Sequence, residues 1–115
     1  MSASPPLADR GPIDLEHLRQ STLDDTGLAR EVLRLFADQA ARVHSQLVML
    51  PADASALAHT PKGSARAIGA LGVAEAAAAL ELAIHDGRAA AQALADLDAA
   101  VKAARAAVEE ILREP

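Results

Sequence analysis

The stretch from residue 23 to residue 50, LDDTGLAREVLRLFADQAARVHSQLVML, places the strongest constraint on the fold. Its apolar residues recur at spacings of three, four or seven, as on one face of an α-helix. The pattern predicts a long amphipathic helix that Pro51 ends. We expect its core face to comprise Leu28, Val32, Leu35, Phe36, Val43, Leu47 and Leu50.

The composition indicates what this helix packs against. Hydrophobic residues make up 51% of the 115 residues but aromatic residues only 1%, and alanine supplies much of the apolar share. Strands favour β-branched and aromatic side chains, whereas alanine is the best helix former. We therefore expect close-packed helices rather than a sheet, in one domain.

Two segments on either side of this stretch also read as helices. IDLEHLRQST favours a short helix with Asp14 as its N-cap. Asp53 is a good N-cap for a third helix that runs to about Leu71, and Gly69 and Gly72 mark its end.

Two alanine-rich segments complete the chain. VAEAAAALELAIHD is the fourth helix, closed by Gly87, and AAAQALADLDAAVKAARAAVEEILRE is the fifth, stopped by Pro115. Because the connections are short, neighbouring long helices should run antiparallel. We therefore predict an all-α fold: an up-down antiparallel four-helix bundle, preceded by a short N-terminal helix, over residues 13–115. Residues 1–12 should form a flexible tail.

Charge and cysteine content exclude several functions. The net charge of −5 and the pI near 5.2 argue against a nucleic-acid binder. The absence of cysteine excludes disulfides, a thiol nucleophile and a Cys-based zinc site, and no His/Asp/Glu spacing makes a convincing metal site. No apolar run reaches membrane-spanning length, and the N-terminus lacks the pattern of a secretory signal. We expect a cytoplasmic protein that binds neither membrane nor nucleic acid.

The third helix carries an unusual exposed face. On a helical wheel, Pro61, Ser64, Ile68 and Leu71 fall within about 40° of Leu57 and form the expected core stripe. On the opposite side the wheel places His59, Lys62, Gly63 and Arg66.

These outward residue types suit phosphoryl transfer. An imidazole is a nitrogen nucleophile, a lysine one turn on supplies charge for an anion, and a glycine at i+4 leaves room for a bulky partner. A helix-interior glycine costs about 1 kcal/mol relative to alanine, so this glycine needs a reason. From residue chemistry alone, ordinary surface residues remain the simpler explanation of this face.

The segment AHTPKGSARAIGA resembles the signature of histidine-containing phosphotransfer (HPt) domains, roughly H-x-L-K-G-[SA]-[SA] with a glycine about ten residues after the histidine. The resemblance spans about residues 13–113, and the helix order is that of the family. The matching residues are His59, Lys62, Gly63, Ser64, Ala65 and Gly69.

The resemblance implies a relay function. His59 would carry a phosphoryl group, on Nε2, between aspartates of receiver domains, with a hybrid sensor histidine kinase upstream. Lys62 would neutralise phosphoryl charge and Gly63 would clear the docking surface. Because the receiver brings magnesium, the chain would need no cofactor of its own. It would be a stoichiometric carrier rather than an enzyme, and a monomer.

The resemblance also assigns residues beyond the motif. In several family members a Glu or Gln 22 residues after the histidine bonds Nδ1 of its ring, and Glu81 holds that position here. His85, one turn further, should lie near the same patch. Arg66, Ser64 and His85 are assigned to the partner-binding surface, whereas His17 and His44 are expected to be surface residues without named partners.

Pro61 departs from the pattern, which usually has leucine there. If the helix starts at Asp53, Pro61 should distort the backbone near residues 57–61 at a cost of about 3 kcal/mol. If it starts near Leu57, Pro61 lies in the first turn and His59 near the positive end of the helix dipole. We favour the distorted helix, with His59 still exposed beside Glu81.

Two other functions stay open at this point. One is a module that docks receivers without phosphotransfer. Another is a histidine-kinase dimerisation domain, but there the proline follows the histidine by about five residues. An autonomous enzyme lacks support, because no nucleotide-binding loop or catalytic triad pattern is present.

Overall fold

The computed structural model describes residues 12–47 and 54–113, which fold into helices without any strand in these two ranges. The predicted all-α class is therefore confirmed. The tail over residues 1–11, the helix-ending Pro51, the cap at Asp53 and the terminal Pro115 lie outside the described residues. The helices are α1 (Leu15–Ser21), α2 (Thr26–Leu47), α3 (Ala54–Ile68), α4 (Leu71–His85) and α5 (Ala91–Arg113).

Local capping explains where several helices begin and end. The side chain of Asp14 accepts a hydrogen bond from the His17 amide at 3.2 Å, so the predicted N-cap of α1 is confirmed. Gly69 and Gly87 adopt positive φ angles of 84° and 68°, which end α3 and α4 in left-handed turns. The expected extension of α3 to Leu71 is therefore wrong. Gly72, expected to mark the same end, instead lies inside α4.

The turn after α3 also anchors α1. The Asp14 amide donates to the Gly69 carbonyl at 2.8 Å, and a Cβ atom on Gly69 would lie 2.6 Å from the Asp14 carbonyl oxygen. Only glycine permits this approach together with a positive φ. The same contact explains why His17 is half-buried rather than the free surface residue that was expected.

Each of the four long helices packs against two others: α2 on α3, α3 on α4, α4 on α5, and α5 back on α2. Arg30, near the start of α2, donates to backbone carbonyls at the end of α5. His44, near the end of α2, contacts Asp98 in the first half of α5. The two helices are therefore antiparallel. We call the interfaces that concern function the α3–α4 seam and the α2–α5 seam; they lie on opposite sides of the molecule.

The buried face of α2 differs from the predicted one. Leu33, which was not expected in the core, is fully buried, whereas Leu35 is 63% exposed and Leu28 is also exposed. The reason is that α2 touches both α3 and α5, so its buried face points between them. The largest fully buried side chains are Leu33, Leu47, Leu80, Leu97, Val73 and Val108, and the predicted core residue Phe36 is buried as well.

Alanine makes close helix packing possible. Among the described residues, eight of the 19 buried apolar side chains are alanines. Small side chains at helix contacts let the axes approach closely, which compensates for the near absence of aromatic residues. None of the helices described is both long enough and apolar enough to cross a bilayer.

Candidate functional site

His59 lies on α3 with its ring turned toward solvent. Its side chain is 68% exposed, as the helical wheel predicts. One ring nitrogen, Nδ1, lies 2.9 Å from Oε2 of Glu81 on α4. The expected contact across the α3–α4 seam is therefore present, and it leaves Nε2 as the ring atom not engaged by Glu81.

Glu81 is shared between two cationic or potentially cationic side chains. Its Oε1 accepts a hydrogen bond from Nζ of Lys62 at 2.6 Å, while Oε2 contacts His59. The Lys62 bond, with a smaller contribution from His59, lowers the pKa of Glu81 against the opposing effect of desolvation. Glu81 is therefore an ionised carboxylate at neutral pH.

The ionised carboxylate determines the tautomer of His59. A carboxylate can only accept hydrogen bonds, so Nδ1 must carry the proton that it donates to Glu81. In the neutral imidazole, Nε2 then has a free lone pair directed away from α4. An exposed, oriented nitrogen of this kind is a nucleophile.

Lys62 is less exposed than the wheel predicts. Its side chain is only 16% exposed. Among the described side chains of α3, Ala58, Ala65 and Ile68 are buried, and Ala58 and Ala65 lie on the side of the helix next to Lys62. The stem of Lys62 therefore covers the seam and its ammonium group is bound to Glu81.

Gly63 has no packing reason to be glycine. It is exposed within a regular helix, and a Cβ atom placed on it would meet nothing within 4 Å. Alanine at this position would favour the helix by about 1 kcal/mol, because glycine has the lower helix propensity. The space that Gly63 leaves on the surface of α3 is therefore open to solvent and not filled by this chain.

The other three expected site residues do not lie together: Arg66 and Ser64 are on different sides of α3, and His85 is on α4. Arg66 is exposed on the His59 face. His85 is also exposed and lines an open pocket with Glu81, Ala78 and Leu82 on α4. Ser64 is half-buried on the opposite flank, in a groove between α2 and α3, so the structure does not bring it next to Glu81.

Pro61 lies in the interior of α3, because the helix begins at Ala54. A start near Leu57, which would place Pro61 in the first turn, is therefore wrong. The side chains of Leu57 and Pro61 lie outside the described part of the structure. The expected distortion at residues 57–61 accordingly stays a prediction.

A second histidine has a partner that sequence reasoning missed. Nε2 of His44 lies 3.1 Å from Oδ1 of Asp98, and Oδ2 of Asp98 is 2.9 Å from Nζ of Lys102. His44 is only 18% exposed, so the expectation of a partnerless surface residue is wrong. Steps of seven residues from Arg30 to Ala37 and from Ala37 to His44 put all three on one side of α2, but only the structure shows that this side faces α5.

Within residues 12–47 and 54–113, no group of three or more His, Asp or Glu side chains is placed to hold a metal ion. Comparisons of the chain with protein-family models, with curated proteins and with solved structures found no match.

Proposed function

We propose that this chain is a histidine phosphotransfer protein that carries a phosphoryl group on His59 between aspartates of receiver domains. The observation that carries the proposal is the geometry of His59: an exposed ring whose Nδ1 is held at 2.9 Å by Glu81. A surface histidine without a role needs neither a carboxylate that orients its ring nor a lysine that holds that carboxylate in place.

The arrangement of the helices supports the same proposal. The ring of contacts among α2, α3, α4 and α5, with α1 packed against α3 and α2, fits an up-down antiparallel four-helix bundle with a short leading helix. In that architecture the α3–α4 seam presents His59 near the middle of α3. A flat receiver surface can reach it there without moving any helix.

The transfer step follows from the tautomer of His59. The Nε2 lone pair attacks the phosphorus of an aspartyl phosphate, the Nε2–P bond forms, and the bond between phosphorus and the aspartate oxygen breaks. The aspartate leaves as a carboxylate. The ring gains positive charge and keeps its Nδ1 proton, which the ionised Glu81 stabilises. The reverse sequence delivers the group to a second receiver.

The surrounding residues act on this step in different ways. Lys62 holds Glu81 ionised and in place, so it is first a positioning residue and only then a source of charge for the phosphoryl group. Arg66, exposed two turns further along α3, and His85, exposed one turn beyond Glu81 on α4, supply positive charge to the incoming anion. Gly63 leaves the approach to Nε2 open, which in-line displacement requires.

The partner completes the site in this proposal. A receiver domain brings the magnesium ion and the acidic residues that bind it, so this chain needs no resident cofactor. It acts as a stoichiometric carrier between receivers, downstream of a hybrid sensor histidine kinase. We propose a monomer in the cytoplasm.

The direct test is phosphoryl transfer from phosphorylated receivers of the source organism. We expect an acid-labile, base-stable label on the wild-type chain that is lost in His59→Gln and retained in His85→Gln and His44→Gln. A label that survives His59→Gln would move the acceptor elsewhere. Receivers that bind the wild-type chain without labelling it would instead establish a docking module.

A further inference from the structure

An open pocket lies along α4 next to the carboxylate that contacts His59. Its volume is about 480 Å³, and its lining residues are Ala78, Glu81, Leu82 and His85. These four residues follow at i, i+3, i+4 and i+7, so they form one stripe along the helix. The pocket therefore places His85 in the same solvent space as the carboxylate that orients the acceptor ring.

His85 is exposed in the last turn of α4. Within the part of the chain that the structure describes, its ring forms neither a hydrogen bond nor an ion pair. The helix dipole favours a cation at this end of a helix. Histidine is the side chain that ordinarily changes its charge between pH 5 and 8, so the charge at this position varies with pH as that of a lysine or an arginine would not.

Glu81 and Lys62 cancel each other's charge beside the acceptor ring. Oε1 of Glu81 accepts from Nζ of Lys62 at 2.6 Å, while Oε2 contacts Nδ1 of His59 at 2.9 Å. A phosphoryl group that arrives on Nε2 therefore meets no net positive charge from this pair. A further cation in the same solvent space lowers the energy of the transferred anion.

The other charged groups around the end of α4 are paired with one another. Asp86 and Arg88, in the turn that follows the helix, lie 3.4 Å apart. On α5, which also packs against α4, the first ionisable side chain is Asp96, whose carboxylate accepts a hydrogen bond from Gln92 at 2.9 Å. Among these described groups, His85 is the one whose charge is not bound to a partner within the chain.

We propose that His85 makes the phosphoryl acceptor site sensitive to pH. The protonated ring adds one positive charge to the solvent space beside Glu81 and His59, and this charge stabilises the phosphoryl group during its transfer. The neutral ring adds none. His85 acts through space without touching the reacting atoms, so it is a regulatory residue and not a catalytic one. The proposal rests on the phosphotransfer function proposed above.

The expected effect is modest because these charges interact through water. His85 lies on α4, whereas the Nε2 lone pair of His59 is directed away from that helix. Charges separated by solvent attract weakly, and salt screens them further. We expect protonation of His85 to raise the rate of transfer to His59 about threefold at low ionic strength.

Three variants test the proposal. His85→Gln removes the charge at every pH, His85→Lys keeps it at every pH, and Arg88→Gln is the matched control. Arg88 is an exposed cation near the same end of α4, but its charge does not change in this pH range. Both positions are exposed, so folding should be preserved. The measurement is the initial rate of labelling by the phosphorylated receiver that labels the wild-type chain fastest.

The ratio of two rates at the same pH is the informative quantity, because titration of His59 and of the receiver affects both chains. We expect the ratio of wild type to His85→Gln to rise from about one near pH 8.5 to about three near pH 5.5. The ratio of wild type to His85→Lys should rise from about one third to about one over the same range. The ratio for Arg88→Gln should not change with pH. All ratios should approach one at about 1 M salt.

Phosphoramidate provides a measurement without a receiver. Its phosphorus–nitrogen bond breaks as the bond between Nε2 of His59 and phosphorus forms, and ammonia leaves. We expect the ratio of wild type to His85→Gln to depend on pH with this donor as well. A dependence seen only with the receiver would assign His85 to the receiver contact and contradict the proposal.

The remaining outcomes separate this inference from the relay function. A ratio of wild type to His85→Gln that is independent of pH with both donors would overturn the role of His85 alone. A pH-dependent ratio that persists at about 1 M salt would show a local structural effect of the substitution and would also contradict it. If no receiver labels the wild-type chain, the relay function is wrong, while the phosphoramidate ratios still decide whether His85 acts on the acceptor ring.

Discussion

The molecule contains two histidine–carboxylate–lysine sets on opposite seams, and they use the same groups in opposite ways. In the α3–α4 seam, His59 is 68% exposed while Lys62 is 16% exposed. In the α2–α5 seam, His44 is 18% exposed while Lys102 is 73% exposed. The first set buries its lysine and presents its histidine, and the second does the reverse.

The ring nitrogen that meets the carboxylate also differs. Glu81 engages Nδ1 of His59, whereas Asp98 engages Nε2 of His44. His59 therefore keeps its outer nitrogen available, while His44 uses that nitrogen to join α2 to α5. The comparison teaches that a histidine beside a carboxylate is not by itself a reactive site: exposure and the choice of nitrogen separate a nucleophile from a structural contact.

The largest expected effect concerns the two carboxylates. We expect Glu81→Ala to slow phosphoryl transfer to His59 about 100-fold, because the ring loses the group that fixes its tautomer and stabilises its positive charge. Asp98→Ala should leave the rate within about twofold, since its histidine takes no part. Single-turnover labelling by a phosphorylated receiver measures both.

Glu81→Gln sharpens this prediction. An amide oxygen can still accept the Nδ1 proton but carries no charge, so the variant should recover part of the rate lost in Glu81→Ala. If Glu81→Ala and Asp98→Ala behave alike, the two sets do not differ in function and the assignment of Glu81 is wrong.

Substitution of the two histidines should affect stability in the opposite order: the change at His44 should cost more than the change at His59. We expect His44→Ala to lower the free energy of unfolding by about 1–2 kcal/mol, because it removes an interhelical hydrogen bond to a charged group. His59→Ala should change it by less than about 0.5 kcal/mol, since an exposed ring contributes little packing. Urea unfolding with unchanged m-values measures both. Equal losses would show that exposure does not distinguish the two sets.

The smallest expected effect is the pH dependence of the carboxylate contacts. The pKa of Glu81 is lowered in the folded chain, so its contribution to stability is complete above the ordinary carboxyl pKa and is lost as pH falls through the lowered value. We expect the stability difference between wild type and Glu81→Gln to shrink as pH falls from about 5 to about 3.

Asp98 provides the control for this pH dependence. Its hydrogen bond with Lys102 also lowers the pKa of the Asp98 carboxyl, so Asp98→Asn should show a change of the same sign. We expect it to be smaller, because solvent screens the exposed lysine. A pH-independent difference for Glu81→Gln would contradict the ionised carboxylate on which the His59 tautomer depends.

Much of the fold was predictable because helix ends are local. Asp14, Gly69 and Gly87 act through their own backbone and the nearest turn, so sequence spacing reveals them. The core face of α2 was only partly predictable. Periodicity indicates which residues share a face, but Leu33 is buried and Leu35 exposed because of where α3 and α5 lie.

The two histidine sets likewise combine features that the sequence predicts with features that only the tertiary structure shows. The contact of His59 with Glu81 was expected from a family resemblance at a 22-residue offset, and the exposure of His59 followed from the wheel. The contact of His44 with Asp98 was not foreseen, since the two residues are 54 positions apart in the sequence and no motif marks them. The burial of Lys62 was missed because α4 covers one edge of α3.

The sequence by itself determined the helices, their order and the exposed histidine, because periodicity, capping residues and propensity act within a few turns of chain. Only the tertiary structure decided which side of each helix is covered, which ring nitrogen each histidine offers and which lysine is buried. These depend on contacts between helices that are distant in sequence. The chemistry proposed for His59 depends on that second set of facts.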